Sequence, residues 1–563
     1  MANKIGIREL SRMFVSGARC LEANRDWINE LNVFPVPDGD TGTNMTLTVQ
    51  SAVHELESLG ETDDMHALCK AISSGSLRGA RGNSGVILSQ LLRGFCKIVR
   101  DSEEIDIPLA AKGFDKAVET AYKAVMKPKE GTILTVARGM AERAGELVTA
   151  GETEDAEHFL REVIAHGDAV LESTPDLLPV LKQASVVDSG GQGLMQFMKG
   201  ALAGFLGEEI ALPEQKPEEA KEEPAPLKYA YSVAYVLMPE KNYHQMEEKD
   251  FVKYLSSLGE DVVVSNVGKE VSVSLRTNDP GMTLQRGLIY GQLKDIVIEN
   301  LRYPSGKAAA KELPAAEAAQ LPEAGQAEAV RAQEPAEEAD PGPRKEVGFV
   351  TVSAGDGMAE IFKGLGADKV ITGGQTMNPS TDDILQAVRW VNADTVFVLP
   401  NNKNIIMAAN QAASLSEDKK VVVIPTKTIP QGITALIGYI PDADPEVSRE
   451  GMIEEIGGVR SAEVTYAVRD TEIDGVTIHE GDMMAIGDDG IIGVASSAGE
   501  AAFQALMQIA SEGTELISIY YGADVSEEKA KALCDHAKEA FPACDVELQY
   551  GGQPVYYYIL SAE

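Results

Sequence analysis

A chain of 563 residues with 44% hydrophobic side chains exceeds what one core usually supports, so several domains are expected. A formal charge of −38, with no basic patch interleaved with aromatics to offset it, argues against nucleic acid and anionic lipid surfaces as partners. No apolar run approaches the ~20 residues of a membrane helix, the opening MANKIGIREL lacks a secretory pattern, and the five cysteines form no CxxC pair, so the expectation is a reduced, cytoplasmic protein without an integral membrane segment.

Residues 1–208 read as helical. Ile7, Leu10, Phe14, Ala18 and Leu21 step along one face, as do Val49, Val53 and Leu56, then Leu88, Leu91, Phe95 and Ile98. An acidic linker is expected over 209–226. Residues 227–303 mix strand-like runs (YSVAYVLM, DVVVSNV, VSVSLR) with one stretch that reads as helix, LQRGLIYGQLKDIVIENL, which suggests a small α+β domain. The Ala/Glu/Pro-rich stretch 304–346 has almost no branched or aromatic side chains to offset its ordering entropy, so it reads as a disordered tether.

From 347 to 563 apolar runs alternate with helical segments, from GFVTVSAG through DDILQAVRWV and TVFVLP to VVVIP, which predicts βαβ units and a parallel sheet covered on both faces. Later strand-like runs (SAEVTYAV, MMAIGDDGIIGVA, TELISIYYG, VYYYIL) predict a further layer. Two loops follow strands of this region. In GGQTMNPST, residues Thr376, Asn378, Pro379, Ser380 and Thr381 form either a ligand or docking loop or an ordinary turn with Thr381 capping the next helix, and NNKN (401–404) has the same two readings.

Chemistry concentrates in the first region, in four polar loops beside apolar helical runs: PDGDTGTN (37–44), RGARGNSG (78–85), KEGTILT (129–135) and DSGGQG (188–193). Magnesium takes oxygen ligands and is usually held by one or two carboxylates plus nucleotide phosphates. Asp38 and Asp40 supply two carboxylates on one loop, and Thr41, Thr43 and Asn44 can donate hydrogen bonds. The same vocabulary also serves a plain helix-capping turn. A calcium EF-hand is excluded because the later ligands are missing. The N–H groups of Gly82, Asn83, Ser84 and Gly85 precede an apolar helix and are suited to a phosphate. There is no Walker A loop and no Rossmann fingerprint. The first-region histidines (His54, His66, His158, His166) show no metal spacing, so surface or packing roles are expected.

PVPDGDTGTNM, GARGNSGV, EGTILTV and VVDSGGQGL, in this order, resemble the nucleotide-binding domain of the dihydroxyacetone kinase L-subunit (DhaL) family over nearly all of 1–205. That resemblance implies an antiparallel all-α helical barrel binding ATP through two Mg2+ ions held by three aspartates. Asp38 and Asp40 match two of these, and the third falls at Asn32, which has lost the charge. It further implies phosphate contacts from Thr41, Thr43, Asn44 and the 82–85 loop, with Thr132, Asp188 and Gly190 around the nucleotide.

With the small middle domain containing TNDPG (277–281) and the C-terminal SAGDGMAEIFKGLGADKVITGGQTMNPST (353–381), the whole chain resembles the bacterial fatty acid kinase catalytic subunits. This implies transfer of the ATP γ-phosphate to a fatty acid presented by a separate DegV-like fatty-acid-binding protein, which docks on a DegV-like α/β C-terminal domain. Some relatives carry a Cys and a His-x-His in the middle domain. Ser232, Ser274 and Arg276 stand there in this chain, so no metal is expected in that domain. A ketose kinase and a non-catalytic nucleotide sensor are the alternative readings, and the oligomeric state, a homodimer included, stays open.

Overall fold

The computed structural model describes residues 4–32, 39–208 without 61, 126 and 153–154, parts of 231–300, and 344–563 without 375–376, 442, 468–470, 474–475, 480 and 488–489. Asp38, Thr376, the 209–226 linker and nearly all of the 304–346 tether therefore lie outside the described residues.

The first region is built from α1 (Ile7–Ala23), α2 (Arg25–Glu30), α3 (Thr41–Leu59), α4 (Met65–Arg78), α5 (Gly82–Val99), α6 (Ile107–Ala124), α7 (Ile133–Ala150), α8 (Ala156–Glu172), two short helices α9 (Thr174–Leu177) and α10 (Pro179–Gln183), and α11 (Ser189–Leu206). The long helices close a ring: α1 packs on α3, then α4, α5, α6, α7, α8 and α11 follow, and α11 returns to α1. The apolar faces expected from the periodicity point inward, with Leu10, Phe14, Ala18 and Leu21 buried on α1 and Val49 and Leu56 on α3.

Small residues allow the closure. At the α1–α11 contact a Cβ added to Gly200 would meet Ser16 O at 2.6 Å and Gly17 Cα at 2.8 Å, so the two backbones touch directly. Inside the ring lies a cavity of about 130 Å3 lined by apolar side chains, among them Phe14, Leu88, Phe95 and Phe197.

Residues 214–334 form a separate compact unit. Its strands β1 (Tyr231–Pro239), β2 (Gly259–Val267), β3 (Glu270–Thr277) and β4 (Gly291–Asn300), with helix α12 (Pro280–Gly287), give an antiparallel sheet of order β2-β3-β1-β4. Here the sequence reading needs correction, because the segment expected to be one helix splits into α12 and β4. Gly287 and Gly291 weaken helix propagation, and β4 then pairs with β1, with Val297 opposite Ala234 and Ile298 opposite Val233. Ser232 and Arg276 are cross-strand partners on β1 and β3, and Ser274 faces Ala234.

The last region joins the helical ring in one compact unit. It begins with β5 (Lys345–Ser353), two residues earlier than expected. It continues through α13 (Asp356–Gly364), β6 (Lys369–Thr372), α14 (Thr381–Trp390), β7 (Ala393–Leu399), α15 (Ile406–Leu415), β8 (Lys420–Val423), α16 (Ile429–Ile437) and α17 (Pro445–Ile456). The sheet is parallel, of order β6-β5-β7-β8. Val350, Val396 and Val398 face α14 and α15, while Phe349, Phe397 and Leu399 face α13, α16 and α17, so the sheet is covered on both faces.

Strands β9 (Arg460–Tyr466), β10 (Thr471–Ile473), β11 (Val476–Ile478), β12 (Met483–Gly487) and β13 (Gly490–Ala495) follow, then α18 (Ala498–Ile509), β14 (Leu516–Tyr521), α19 (Glu527–Ala540), β15 (Asp545–Tyr550) and β16 (Tyr558–Ala562). They make a six-stranded mixed sheet, β13-β12-β9-β16-β14-β15, plus the β10-β11 hairpin. Tyr520 and Ile559 of this sheet pack into the same apolar cluster as Phe397 and Met452, so the two sheets share a core.

The α/β region is bound to the ring through α14 and α15. Ala80 and Val86 of the ring are buried in the same cluster as Val352, Ile384 and Ile405. Gln90 Nε2 on α5 donates to Gln411 Oε1 at 2.8 Å in a buried contact, and Gln411 Nε2 donates to Leu77 O at 2.8 Å. This interface was not foreseen from the sequence.

The glycine contact at the ring closure gives a stability prediction. Gly200→Ala is expected to lower unfolding free energy by about 1–3 kcal/mol, because a methyl would run into Cys20 Cβ at 2.5 Å as well as the Ser16 and Gly17 backbone. Denaturant unfolding followed by far-ultraviolet circular dichroism measures this, and wild-type stability would refute the backbone-on-backbone packing.

Candidate functional site

Four ring helices start at one place. The N-termini of α3, α5, α7 and α11 surround a pocket of about 270 Å3, and the four polar loops singled out above are the segments that enter these helices. Each helix end carries unsatisfied N–H groups and roughly half a positive charge. Four such ends around one space make it strongly receptive to anions, despite the negative charge of the whole chain.

Asp40 occupies the N-cap position of α3, yet its carboxylate makes no capping bond to that helix. It lies on the pocket wall with Asn32, Thr41 and Asn44. Thr41 opens α3 and receives a hydrogen bond from the Ser189 hydroxyl, at 3.2 Å, from the start of α11. Asp188 caps α11 by accepting from Gly191 N at 2.7 Å. Burial pushes its carboxyl up to about 6, against the backbone N–H groups of Gly191 and Ile133, which pull it down. One buried carboxyl thus bridges the starts of α11 and α7. Thr132, the N-cap of α7, donates to Lys129 O at 2.8 Å and so holds the approach loop folded.

Of the residues expected here, Asn32, Asp40, Thr41, Asn44, Asn83, Ser84, Thr132, Asp188 and Gly190 line the pocket together. Asp38 lies outside the described residues.

Thr43, Gly82 and Gly85, expected to contact phosphate, are not among the residues that line the pocket. Thr43 turns away to α2, where its N–H donates to Asn29 Oδ1 at 3.1 Å and its hydroxyl accepts from Asn29 Nδ2 at 3.0 Å. Gly82 adopts φ +58° beneath the Asn44 side chain, where a Cβ would sit 2.5 Å from Nδ2. Gly85 is pressed against Thr48, with a Cβ only 2.3 Å from Oγ1. Both glycines shape the loop and let α5 approach α3.

The sequence reading missed Lys127 and Lys129 on the wall, whose signal was a basic pair just ahead of a capped helix, and Ser189. It also missed Met407, which reaches the pocket from the α/β region together with Asn404 of the NNKN loop, read from sequence as either a ligand loop or a turn. No pattern within either segment signals that meeting. In the GGQTMNPST loop the cap of α14 is Ser380, which accepts from Asp383 N at 3.0 Å, rather than Thr381. Thr381 instead donates its N–H to Ala80 O of the ring at 3.0 Å. In NNKN, Asn401 is structural, bonded through Nδ2 to Thr351 Oγ1 and Val352 O. Asn404 accepts from Asn83 Nδ2 at 2.9 Å.

The donor set fits a metal-bound polyphosphate. Asp40 and Asn32 offer hard oxygens, while helix N-termini, hydroxyls and lysines offer donors and positive charge. The apolar cavity inside the ring offers phosphate no such partners.

Residues 35–203, which form most of the helical ring, match the model of the DAK2 domain, so the chain is of kinase type. Residues 228–307 and 348–563 match the middle and C-terminal models of the FakA-like fatty acid kinase proteins. The chain is 41% identical over 569 residues to Protein YloV of Bacillus subtilis (strain 168), covering 99% of each chain. It is 39% identical over 574 residues to an uncharacterized protein of Staphylococcus aureus (strain USA300), covering 100% of both. Among solved structures, the dihydroxyacetone kinase of C. freundii in complex with AMP-PNP and Mg2+ is similar over 34% of this chain and 33% of that one, with 15% identity and a TM-score of 0.27. The protein belongs to the FakA-like fatty acid kinase family.

The raised Asp188 carboxyl gives a pH prediction. Its folded value, about 6, lies above the usual 3.8, so between about pH 4 and 6 the folded state binds more protons than the unfolded one. Stability from this group is present below that window and is lost as pH rises through it, by on the order of 3 kcal/mol. Asp188→Asn removes the titration while keeping an acceptor for Gly191 N. In nucleotide-free and metal-free protein, the variant's melting temperature relative to wild type is expected to rise from pH 4 to pH 7. A difference independent of pH would refute the assignment.

Proposed function

We propose that this chain is the ATP-binding subunit of a fatty acid kinase, which transfers the γ-phosphate of ATP to the carboxylate of a fatty acid held by a separate DegV-like binding protein. Membership of the FakA-like family supports the reading. The single structural observation that carries it is the convergence of four helix N-termini on one pocket with Asp40 on its wall.

The chemistry needs little from the protein beyond charge and position. A fatty acid carboxylate is ionised near neutral pH, since carboxylic acids titrate at about 4 to 5, so no general base is required. Among the described residues, the pocket wall carries no histidine, consistent with that demand. A carboxylate oxygen attacks the γ-phosphorus in line, the bond to the β–γ bridging oxygen breaks, and an acyl phosphate and ADP form. The N-termini of α3, α5, α7 and α11, with Lys127 and Lys129, would hold the phosphates and reduce their repulsion of the incoming carboxylate. Magnesium held by Asp40, with Asn32 and Asp38 as further ligands, would neutralise charge on the phosphate oxygens. The C-terminal α/β domain would receive the acyl-carrying partner.

Asp40→Ala is expected to lower Mg2+-ATP turnover by about 10²–10³-fold when assayed with a fatty-acid-loaded DegV-like partner, acyl phosphate being trapped as the hydroxamate. Unchanged turnover in this variant, or ADP release indifferent to the partner's fatty acid, would overturn the proposal.

A further inference from the structure

The pocket is completed by the α/β region. Asn378, in the loop between β6 and α14, donates from Nδ2 to Asp40 Oδ2 at 2.6 Å. Both side chains are buried, 4% and 8% exposed. Arg81 of the ring holds that loop in place: its guanidinium donates to Asn378 O at 2.8 Å and pairs with Asp383 at 3.2 Å. Thr381 N, bonded to Ala80 O, fixes the loop from its other end.

We infer that Asn378 is a positioning residue for the Asp40 carboxylate, so that the nucleotide site is shared between the helical ring and the α/β domain. This rests on the reading of the pocket as a magnesium–nucleotide site. A carboxylate has two oxygens and about four acceptor directions. The Asn378 amide, itself held by a buried loop, occupies one of these directions on Oδ2, so it sets the rotamer of Asp40 without neutralising the carboxylate. The donor is also neutral. A lysine or arginine at this place would offset the charge that a cation needs, whereas an amide orients the carboxylate and preserves it.

The same logic extends to the facing loop, where Asn404 accepts from Asn83 and lines the pocket beside it. Neither domain alone supplies both members of either pair. Hydrogen-bonding partners behind a metal ligand typically affect metal affinity by about 10–100-fold.

The test uses the full chain and AMP-PNP binding by isothermal titration across a range of Mg2+ concentrations. Asn378→Ala is expected to raise the Mg2+ concentration for half-maximal AMP-PNP binding by about tenfold. Asn378→Leu, which keeps the volume without a donor, should do the same and serves if the alanine variant loses its cooperative melt. Gln411→Ala loosens the same interface away from the pocket and should leave the Mg2+ requirement unchanged. A wild-type Mg2+ requirement in the Asn378 variants overturns the positioning role, as does an equal rise in Gln411→Ala. Wild-type protein that binds no AMP-PNP at any Mg2+ concentration overturns the reading of the site itself, and this inference with it.

Discussion

Four helices pointing their positive ends at one another is an unfavourable arrangement unless negative charge stands between them. The ring imposes it: α3, α5, α7 and α11 all begin on one rim, and their N–H groups cannot be withdrawn without opening the ring. Asp40 and Asp188 supply part of the answer, and Asp188 bonds to the backbone of two helix starts at once. A bound polyphosphate would supply much more. The backbone would then do the work that a glycine-rich P-loop does elsewhere, and the polar loops share no single compact motif because each contributes one helix end.

That geometry also explains why the glycines of these loops do different things. Gly82 is required by its left-handed backbone and by the Asn44 side chain above it, and Gly85 by the closeness of α5 to α3. Both act on helix placement. The α1–α11 contact is of the same kind, and it brings Ser189 beside Thr41.

The α/β region is more than an appended surface for a partner. Its contacts with the ring, through Arg81, Ala80 and the apolar cluster around Ile384, hold the Asn378 loop over the pocket. A partner that docks on this domain would have a mechanical route to Asp40 through Asn378 and to Asn83 through Asn404. The acyl acceptor and the nucleotide would then be sensed on the two sides of one layer.

Much was readable beforehand where the cause is local. Helical periodicity marked the inward faces of α1 and α3, and alternating apolar runs marked the parallel sheet, because each pattern reports one element's burial. The four polar loops were visible for the same reason, since caps and turns are written in a few adjacent residues. The segment 284–301 misled, because its helical spacing competes with strand pairing to β1, and a pairing partner about sixty residues away leaves no local mark. Asp40 was identifiable from sequence as an acid set in a glycine loop, and the α14 cap was misplaced by one residue. What only the tertiary structure decided is which groups meet. Asn378 lies 338 positions from Asp40 and Asn404 lies 321 from Asn83, and such contacts are set by how the ring and the sheet close on each other rather than by any spacing along the chain.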